Sequence, residues 1–256
     1  MSEIILSVRI DSLDLKGVIS KITQFLTERV HSENKERLHQ ISTVNPEFIM
    51  TAQKDPDFLE TLNSADLNVA DGVGLQLAAK ILGINIGARI TGVDLTWELA
   101  KLASENGYSI FFLGAAEGVA EKAAHRLKAS YPTLRIAGVY SGTPYETGIV
   151  ERVNNSKADI LLVAFGAPKQ DKFIFANKGR LKMKVAMGVG GTFDYIAGTV
   201  PYAPNWMRQL GLEWLYRLIN QPQRINRIIT ATIIFPMAVL ISKFSRQSKS
   251  NHKIIA

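Results

Sequence analysis

The sequence of 256 residues contains no cysteine. Disulfide bonds, thiolate nucleophiles and metal sites with cysteine ligands are therefore excluded, and a reducing compartment is the natural location. The first residues lack the basic segment and the long apolar core of a secretory signal, so we expect a cytoplasmic chain. No uninterrupted apolar run reaches the roughly 20 residues of a membrane-spanning helix, so we expect no such helix.

Acidic residues are almost absent from the C-terminal part of the chain. Residues 201–256 contain eight Lys or Arg residues and one acid, Glu213, so this segment accounts for the whole chain's net charge of +7. It also contains an uncharged, strongly apolar run over residues 228–242. Arms that bind nucleic acid rarely contain such a run, whereas apolar residues followed by basic ones suit the interface of an anionic membrane.

We therefore predict that residues 201–256 form a helical, basic appendage that docks on a membrane. The alternatives are that the apolar run packs on the core as an ordinary helix, or that it forms an oligomer interface. The sequence leaves the oligomeric state open, with a homo-oligomer as one alternative. Three aromatic residues of the appendage are expected to pack in the core: Trp206, Trp214 and Tyr216.

The first 200 residues alternate short β-rich apolar runs with helical patterns. This alternation is typical of a mostly parallel sheet with helices on both faces, so the fold class is α/β and Rossmann-like. Strands are predicted at residues 4–10, 37–42, 67–70, 109–113, 135–140, 160–164 and 185–188. Helices are predicted at residues 95–106, with Asp94 at the start, 118–131 and 168–177. Ligands of such sheets bind beyond the carboxyl ends of the strands, where we expect the chemistry.

The loop after the third predicted strand begins with Asp71 and Gly72. A carboxylate at the end of a strand, followed by a glycine that permits a tight turn, is well placed to meet a ligand. The alternative is that Asp71 only caps the helix that starts near Val73.

Two later loops also combine small residues with the start of a helix. After the strand at 160–164, Gly166 and Ala167 allow a close approach of the backbone. Pro168 suits a first helical position, and the new helix offers free N–H groups to a phosphate. The third loop is glycine-rich. It contains Gly190, Gly191 and Asp194, and a flexible turn is its alternative interpretation.

Other patterns exclude two classes of site. Gly114 and Gly118 do not have the spacing of a dinucleotide-binding loop, so a nicotinamide-dependent oxidoreductase is poorly supported. The pattern Asp55-Pro56-Asp57 resembles a metal-binding acidic pair, but it is explained better as a helix start with Asp55 as the cap. The histidines show no metal-ligand spacing. We therefore expect neither a metal nor another cofactor.

Motifs that follow one another from about residue 40 to 227 match a known family. They are Thr-Val-Asn-Pro-Glu at 43–47, Ala-Asp at 65–66, Ala-Asp-Gly-Val-Gly at 70–74, Arg-Ile-Thr-Gly-Val-Asp-Leu at 89–95, Phe-Leu-Gly at 112–114, Gly-Val-Ala-Glu at 118–121, Gly-Ala-Pro-Lys-Gln at 166–170, Gly-Val-Gly-Gly-Thr-Phe-Asp at 188–194 and Gly-Leu-Glu-Trp-Leu-Tyr-Arg-Leu at 211–218. On these motifs the sequence resembles the WecG/TagA/CpsF glycosyltransferases.

The resemblance implies a membrane-associated enzyme at the inner face of the cytoplasmic membrane. Its donor would be UDP-N-acetylmannosamine and its acceptor a polyprenyl-diphosphate-linked N-acetylglucosamine, as in wall teichoic acid synthesis. Transfer would invert the anomeric centre without a metal. The alternatives are another donor, namely UDP-N-acetylmannosaminuronic acid, UDP-glucose or UDP-galactose, or a non-catalytic module that binds a sugar nucleotide at the membrane.

The resemblance also implies roles for individual residues. Asp71 matches the proposed general base, and three polar residues match positions of the same pocket: Thr43, Asn45 and Arg89. Gln170 matches a further polar position, in a loop beside the nucleotide. The family's appendage carries functional arginines, and the candidates here are Arg217, Arg224 and Arg227. Their spacing of seven and three would put them on one face of a continuous helix; a solvated or lipid-facing basic surface is the alternative.

Overall fold

The computed structural model describes residues 1–28, 38–204, 206–207 and 210–254, without the side chains of Arg217 and of residues 246–254. Four of the predicted strands have the predicted bounds, and the α/β, Rossmann-like fold class is confirmed. The strands are β1 Ser2–Ile5, β2 Val8–Asp11, β3 His39–Val44, β4 Leu67–Ala70, β5 Ser109–Gly114, β6 Arg135–Tyr140, β7 Ile160–Ala164 and β8 Val185–Gly188.

Six of these strands form one parallel sheet in the order β4-β3-β8-β7-β5-β6. The prediction of one strand over residues 4–10 is wrong, because Leu6 and Ser7 both have positive φ angles, 44° and 69°, and turn the chain. The result is a separate antiparallel hairpin of β1 and β2. Because the six strands of the main sheet are parallel, all their carboxyl ends lie at one edge of the sheet, where we expected the ligand site.

The helices of the core lie between the strands. They are α1 Leu15–Thr27, α2 Pro46–Ala52, α3 Pro56–Asn63, α4 Val73–Leu82, α5 Gly92–Asn106, α6 Val119–Ser130, α7 Ile149–Asn155, α8 Lys169–Ala176 and α9 Thr192–Ala197. Asp94 was predicted to start α5, but Thr91 is its cap, because the Asp94 N–H donates to Thr91 Oγ1 at 3.1 Å. Pro168 lies one position before α8 rather than inside it.

Apolar side chains of the strands alternate between the two faces of the sheet. Phe112 and Leu162 face the cluster with α1, α5, α6 and α9, whereas Phe111 and Leu161 face the cluster with α7 and α8. A third buried cluster joins the hairpin, α2, α3 and α4, and it includes Phe235 from the appendage. The sheet is thus covered on both faces, and the appendage shares in the core.

The appendage is not one continuous helix, because it is divided after Asn220. Its elements are α10 Glu213–Asn220, a 3-10 turn Pro222–Arg224, α11 Ile225–Ile229, a π-helical stretch Thr230–Ile234 and α12 Phe235–Ile254. The break after Asn220 has a physical cause. The residue before a proline is disfavoured in helical conformation, and Gln221 has φ −139° and ψ 69°. The prediction of one helix face for Arg217, Arg224 and Arg227 is therefore wrong.

The apolar part of the appendage is longer than the sequence argument allowed. Pro222–Ser245 is, by length and composition, a helix that could cross a membrane, so the expectation of no such segment is wrong. Helical turns of several kinds follow one another from Pro222 onward, so the helical segment begins six residues before the apolar run. One face of this segment is held to the core, because Phe235 and Val239 are fully buried among residues of α2 and α4.

The opposite face of the same segment is exposed. Two tryptophans that were predicted to pack in the core are also exposed, Trp206 at 59% and Trp214 at 39%, so that prediction is wrong for both. Tyr216 is half-buried. The exposed apolar side chains recur at helical spacing: Ile225, Ile229, Ile233, Met237, Ile241 and Phe244. We call these six residues the apolar stripe.

Candidate active site

Asp71 lies at the carboxyl edge of the sheet, directly after β4. Its backbone N–H donates to the Val44 carbonyl at 2.7 Å, which continues the pairing of β3 and β4 by one residue. Gly72 then turns the chain with φ +95° and is the cap residue of α4, so Asp71 lies one position before the cap. The position of Asp71, between the end of β4 and this turn, suits a role toward a ligand.

Two hydroxyl groups, from β3 and α9, converge on the start of α5. The start of α5 packs so closely that a Cβ on Gly92 would lie 3.5 Å from Thr43 Oγ1 and 3.1 Å from Thr192 Oγ1. Asn45 is the cap of α2, and its Oδ1 accepts from the Phe48 N–H at 3.0 Å. The Asn45 side chain can therefore offer a ligand mainly its Nδ2 donors.

Arg89 is brought to the same edge by a backbone hydrogen bond. The N–H of Ile90 donates to the Ala70 carbonyl at 2.9 Å, so the segment with Arg89 runs beside Asp71. The Arg89 guanidinium pairs with Glu213 of the appendage, with 3.1 Å between Nη2 and Oε1. Both side chains are about a quarter exposed, so this pair contributes only about 0–1 kcal/mol and can be exchanged for a ligand.

Gln170 joins the two small-residue loops. Its side chain is buried, and Oε1 accepts from the Gly190 N–H at 2.8 Å. A Cβ on Gly188 would lie 2.6 Å from Gln170 Nε2, so only glycine fits there without displacing this amide. Gln170 therefore sets the distance between the loop of Gly166, Ala167 and Pro168 and the glycine-rich loop.

The glycine-rich loop ends in the short helix α9. Gly191 is its cap residue, and Asp194 lies in its first turn. The backbone N–H groups of Thr199 and Val200 donate to the Asp194 carbonyl, and Thr199 Oγ1 lies 3.4 Å from Asp194 Oδ1. These contacts hold Asp194 at the rim of the site, near the segment that leads into the appendage.

The appendage covers the helix that begins behind Asp71. Gly211 packs so closely that a Cβ there would lie 2.8 Å from Val73 Cγ2. Further along, Arg227 Nε lies 2.6 Å from Glu47 Oε1 of α2, and Lys243 Nζ donates to the Ile81 carbonyl at the end of α4 at 2.6 Å. The appendage is thus tied to the core on both sides of the Asp71 loop.

The model of the glycosyl transferase WecG/TagA/CpsF family matches residues 4–249. The chain belongs to this family. It is 35% identical over 191 residues to the N-acetylglucosaminyldiphosphoundecaprenol N-acetyl-beta-D-mannosaminyltransferase of Bacillus subtilis (strain 168), which covers 74% of this chain and 75% of that protein. The Staphylococcus aureus (strain MRSA252) protein of the same name is 33% identical over 225 residues, 88% of this chain and 87% of that protein. The resemblance drawn from the motifs is confirmed.

Membership of the WecG/TagA/CpsF family gives the appendage arginines particular interest. Arg227 pairs with Glu47, the last residue of the motif that contains Thr43 and Asn45. Arg224 closes the 3-10 turn just before α11. The side chain of Arg217 lies outside the described residues. Roles for these arginines stay predictions.

The structure adds site residues that the sequence argument did not single out. Thr192 faces Thr43 across Gly92, and Thr91 caps α5. The carboxylates of Glu47 and Glu213 pair with arginines across the boundary between the core and the appendage. Each lies inside a family motif, so the signal was there. Pairing between residues 124 or 180 positions apart, however, cannot be read from spacing.

The acidic pair near residue 55 serves a structural role. Asp55 caps α3, because its Oδ1 accepts from the Phe58 N–H at 3.0 Å, and Pro56 begins the helix, as predicted. A hydrogen bond from Lys172 holds the pKa of Asp55 below its usual range. Within the described part of the chain, no three His, Asp or Glu side chains are grouped so that they could hold a metal ion.

A buried carboxyl group supports the site from below. Asp171 follows Gln170 and is fully buried, and Ser42 Oγ donates to its Oδ1 at 2.8 Å. Gln40 Nε2 donates to the Asp171 carbonyl at 3.1 Å, so α8 is fixed to β3 directly beneath Thr43. Burial raises the pKa of Asp171 to about 6, although hydrogen bonds from Ser42 and Gln170 oppose the shift.

We expect Asp171→Asn to remove a pH dependence of stability between about pH 4 and pH 6. The folded protein raises the pKa of Asp171 from 3.8 to about 6, so its stabilising contribution is complete below pH 4 and lost as pH rises through 6. Since a shift of one pKa unit corresponds to about 1.4 kcal/mol, the free energy of unfolding is expected to fall by about 3 kcal/mol across this range. Urea unfolding of both proteins across this range measures it, with Asp57→Asn as the control; parallel curves for wild type and Asp171→Asn would contradict the assignment.

Proposed function

We propose that this chain transfers N-acetylmannosamine from UDP-N-acetylmannosamine to N-acetylglucosamine that is linked through diphosphate to a polyprenol. The Bacillus and Staphylococcus relatives are named for mannosaminyl transfer to such an acceptor. The pathway that we propose for this chain is wall teichoic acid linkage-unit synthesis. The observation that carries the proposal is the position of Asp71, at the carboxyl end of β4 and beside Arg89, with its backbone bonded to β3.

In the proposed reaction Asp71 is the general base. It accepts the proton of the acceptor hydroxyl as that oxygen attacks the anomeric carbon from the face opposite the diphosphate. The bond between the anomeric carbon and the diphosphate oxygen breaks, and UDP leaves with the electron pair. A positioned base of this kind accelerates a reaction by about 10²- to 10⁴-fold. Thr43 and Thr192 are placed to orient sugar hydroxyls by hydrogen bonding.

The leaving diphosphate needs positive charge as its bond breaks. Arg89 can supply it by exchanging Glu213 for a phosphate oxygen, since an arginine fork binds phosphate in two places at once. The start of α8, after Gly166, Ala167 and Pro168, offers backbone N–H groups beside the same space. With these groups available, we propose that the reaction proceeds without a divalent metal.

The proposed location is the inner face of the cytoplasmic membrane, where a polyprenol-linked acceptor resides. The support is the apolar stripe, which is exposed, while the other face of the same segment is held in the core by Phe235 and Val239. Contact with the core on one face and exposure on the other favours a helix lying on the membrane surface over one that crosses it. In the sequence, basic residues follow the stripe at 246, 249 and 253, and such residues suit anionic headgroups.

The proposal predicts a specific pattern of UDP release. With a synthetic lipid-diphosphate N-acetylglucosamine acceptor and excess EDTA, UDP-N-acetylmannosamine is expected to give acceptor-dependent release, because donor, acceptor and metal independence are then all satisfied. Release only from another UDP-sugar would contradict the proposed donor, but it would still support a glycosyl transfer to this acceptor. Loss of release in EDTA, restored by Mg²⁺ or Mn²⁺, would contradict metal independence. No release from any donor would favour a binding module.

A further inference from the structure

A cleft lies between the core and the appendage, next to the Asp71 loop. Its walls are the start of α5, helix α9, the segment after it and helix α10. It encloses about 410 Å³ of atom-free space, counting the part that is open to solvent. Its lining residues are Thr91, Val93, Tyr195, Tyr202, Ala203, Glu213 and Tyr216.

Three of these residues are tyrosines from three different elements. Tyr195 and Tyr202 form an aromatic pair, with ring centroids 5.3 Å apart and ring planes at 40°. Tyr216 faces the cleft from the appendage. Aromatic ring faces carry partial negative charge and attract the partly positive C–H groups on the face of a sugar ring. Tyrosine, threonine and carboxylate oxygens at the edges can bond the sugar's hydroxyl and amide groups. The lining thus suits a sugar ring better than a bare phosphate.

The position of the cleft indicates which sugar it takes. At one end, Thr91 follows the segment that is bonded to Ala70, and Glu213 pairs with Arg89 beside Asp71. At the other end, α10 carries Trp214 and Ile219 exposed on its outer side, at 39% and 69%. A sugar in this cleft therefore lies between the general base and a surface rich in exposed apolar residues. A lipid-linked acceptor must bridge these two places, whereas a water-soluble nucleotide has no such need.

We propose that this tyrosine-lined cleft binds the acceptor sugar, an N-acetylhexosamine on a lipid diphosphate, and thereby determines acceptor affinity. The inference rests on the proposed function and deepens it. The donor is then held on the other side of Asp71, toward the loops joined by Gln170, so that the two sugars meet at the carboxylate. Because α10 forms one wall, the acceptor site is complete only when the appendage is docked on the core.

Tyr202 offers the clearest test because it is 42% exposed and lies outside any helix, so its replacement leaves the core intact. Tyr202→Ala is expected to raise the acceptor KM about tenfold, the value of one lost aromatic contact. The donor KM and kcat are expected to stay within about twofold. Tyr202→Phe keeps the ring and is expected to restore the acceptor KM, because ring stacking rather than the hydroxyl carries the contact.

The matched control is Tyr145→Ala, which removes a tyrosine that is 79% exposed after β6, at the far edge of the sheet. Its acceptor KM is expected to be unchanged. Equal changes of donor and acceptor KM in Tyr202→Ala, or an unchanged acceptor KM, would overturn the assignment of the cleft.

A binding measurement separates this inference from the proposed reaction. Calorimetric titration with a short-chain lipid diphosphate of N-acetylglucosamine needs no donor and no turnover. Weaker binding to Tyr202→Ala than to wild type would support the cleft even if UDP-N-acetylmannosamine proves to be the wrong donor. Turnover with that donor, together with equal binding to both proteins, would overturn the cleft and leave the proposed function standing. No binding to wild type would overturn the acceptor assignment.

Discussion

Replacement of Asp71 with asparagine is expected to lower kcat for sugar transfer by about 10²- to 10⁴-fold, the usual contribution of a positioned general base. Asparagine has nearly the same shape and keeps the backbone bond to Val44, but it cannot take up a proton. Substrate binding should change far less than kcat, because the carboxylate acts on a proton that moves only in the transition state. Initial rates of UDP release at varied donor and acceptor concentrations measure both.

Asp57→Asn is the matched control. Asp57 is 89% exposed, and its nearest basic partner, Lys172, is 3.9 Å away, so its loss should change neither fold nor rate. Equal circular dichroism spectra and thermal midpoints for the three proteins would show that the Asp71 effect is chemical. A kcat for Asp71→Asn within about threefold of wild type would contradict its role as the base and leave Asp71 as a binding residue.

The order of the strands explains why the chemistry collects where it does. Asp71 follows β4 and Thr43 lies one residue before the end of β3, while the loops around Gln170 and Gly190 follow β7 and β8. These four strands are neighbours in the order β4-β3-β8-β7, so four loops that are far apart in sequence meet at one edge. The Arg89 segment joins them through its bond to Ala70.

The sequence was sufficient for most of the sheet. Buried parallel strands are largely continuous apolar runs, so β4, β7 and β8 could be located to the residue. The Asp71 loop was found for a related reason, because ligands of such sheets bind beyond the carboxyl ends of the strands. The hairpin of β1 and β2 was missed because its turn uses Leu6 and Ser7 with positive φ, without the glycine or asparagine that normally marks such a turn.

The appendage was harder to predict because its structure depends on tertiary contacts. Its apolar run is compatible both with core packing and with lipid contact. In the structure, Phe235 and Val239 on one face pack in the core, and the apolar stripe on the other face is exposed. Arg89 and Glu213, likewise, are 124 positions apart and meet only once the appendage wraps around α4. No local sequence pattern predicts a contact between residues so far apart along the chain.

Membrane binding is expected to depend on the outer face of the appendage alone. The triple variant Met237→Ser, Ile241→Ser and Phe244→Ser removes three side chains that are 57%, 64% and 66% exposed. Burial of each of these side chains in the lipid interface is expected to contribute about 1 kcal/mol to the free energy of binding. Together the three contribute about 3 kcal/mol, which corresponds to about 100-fold in affinity. Co-sedimentation with phosphatidylglycerol-containing vesicles measures the loss, and the urea unfolding midpoint should not fall.

Truncation of the appendage would be a poorer experiment. Phe235 and Val239 are fully buried against α2 and α4, so their removal would expose the core and confuse misfolding with lost membrane contact. Tyr145→Ser is the better control, because it removes an exposed aromatic side chain at the opposite edge of the sheet and should leave vesicle binding unchanged. If the triple variant bound vesicles as tightly as wild type, the apolar stripe would have to face another protein subunit, and a concentration-dependent sedimentation coefficient that the three substitutions abolish would identify it.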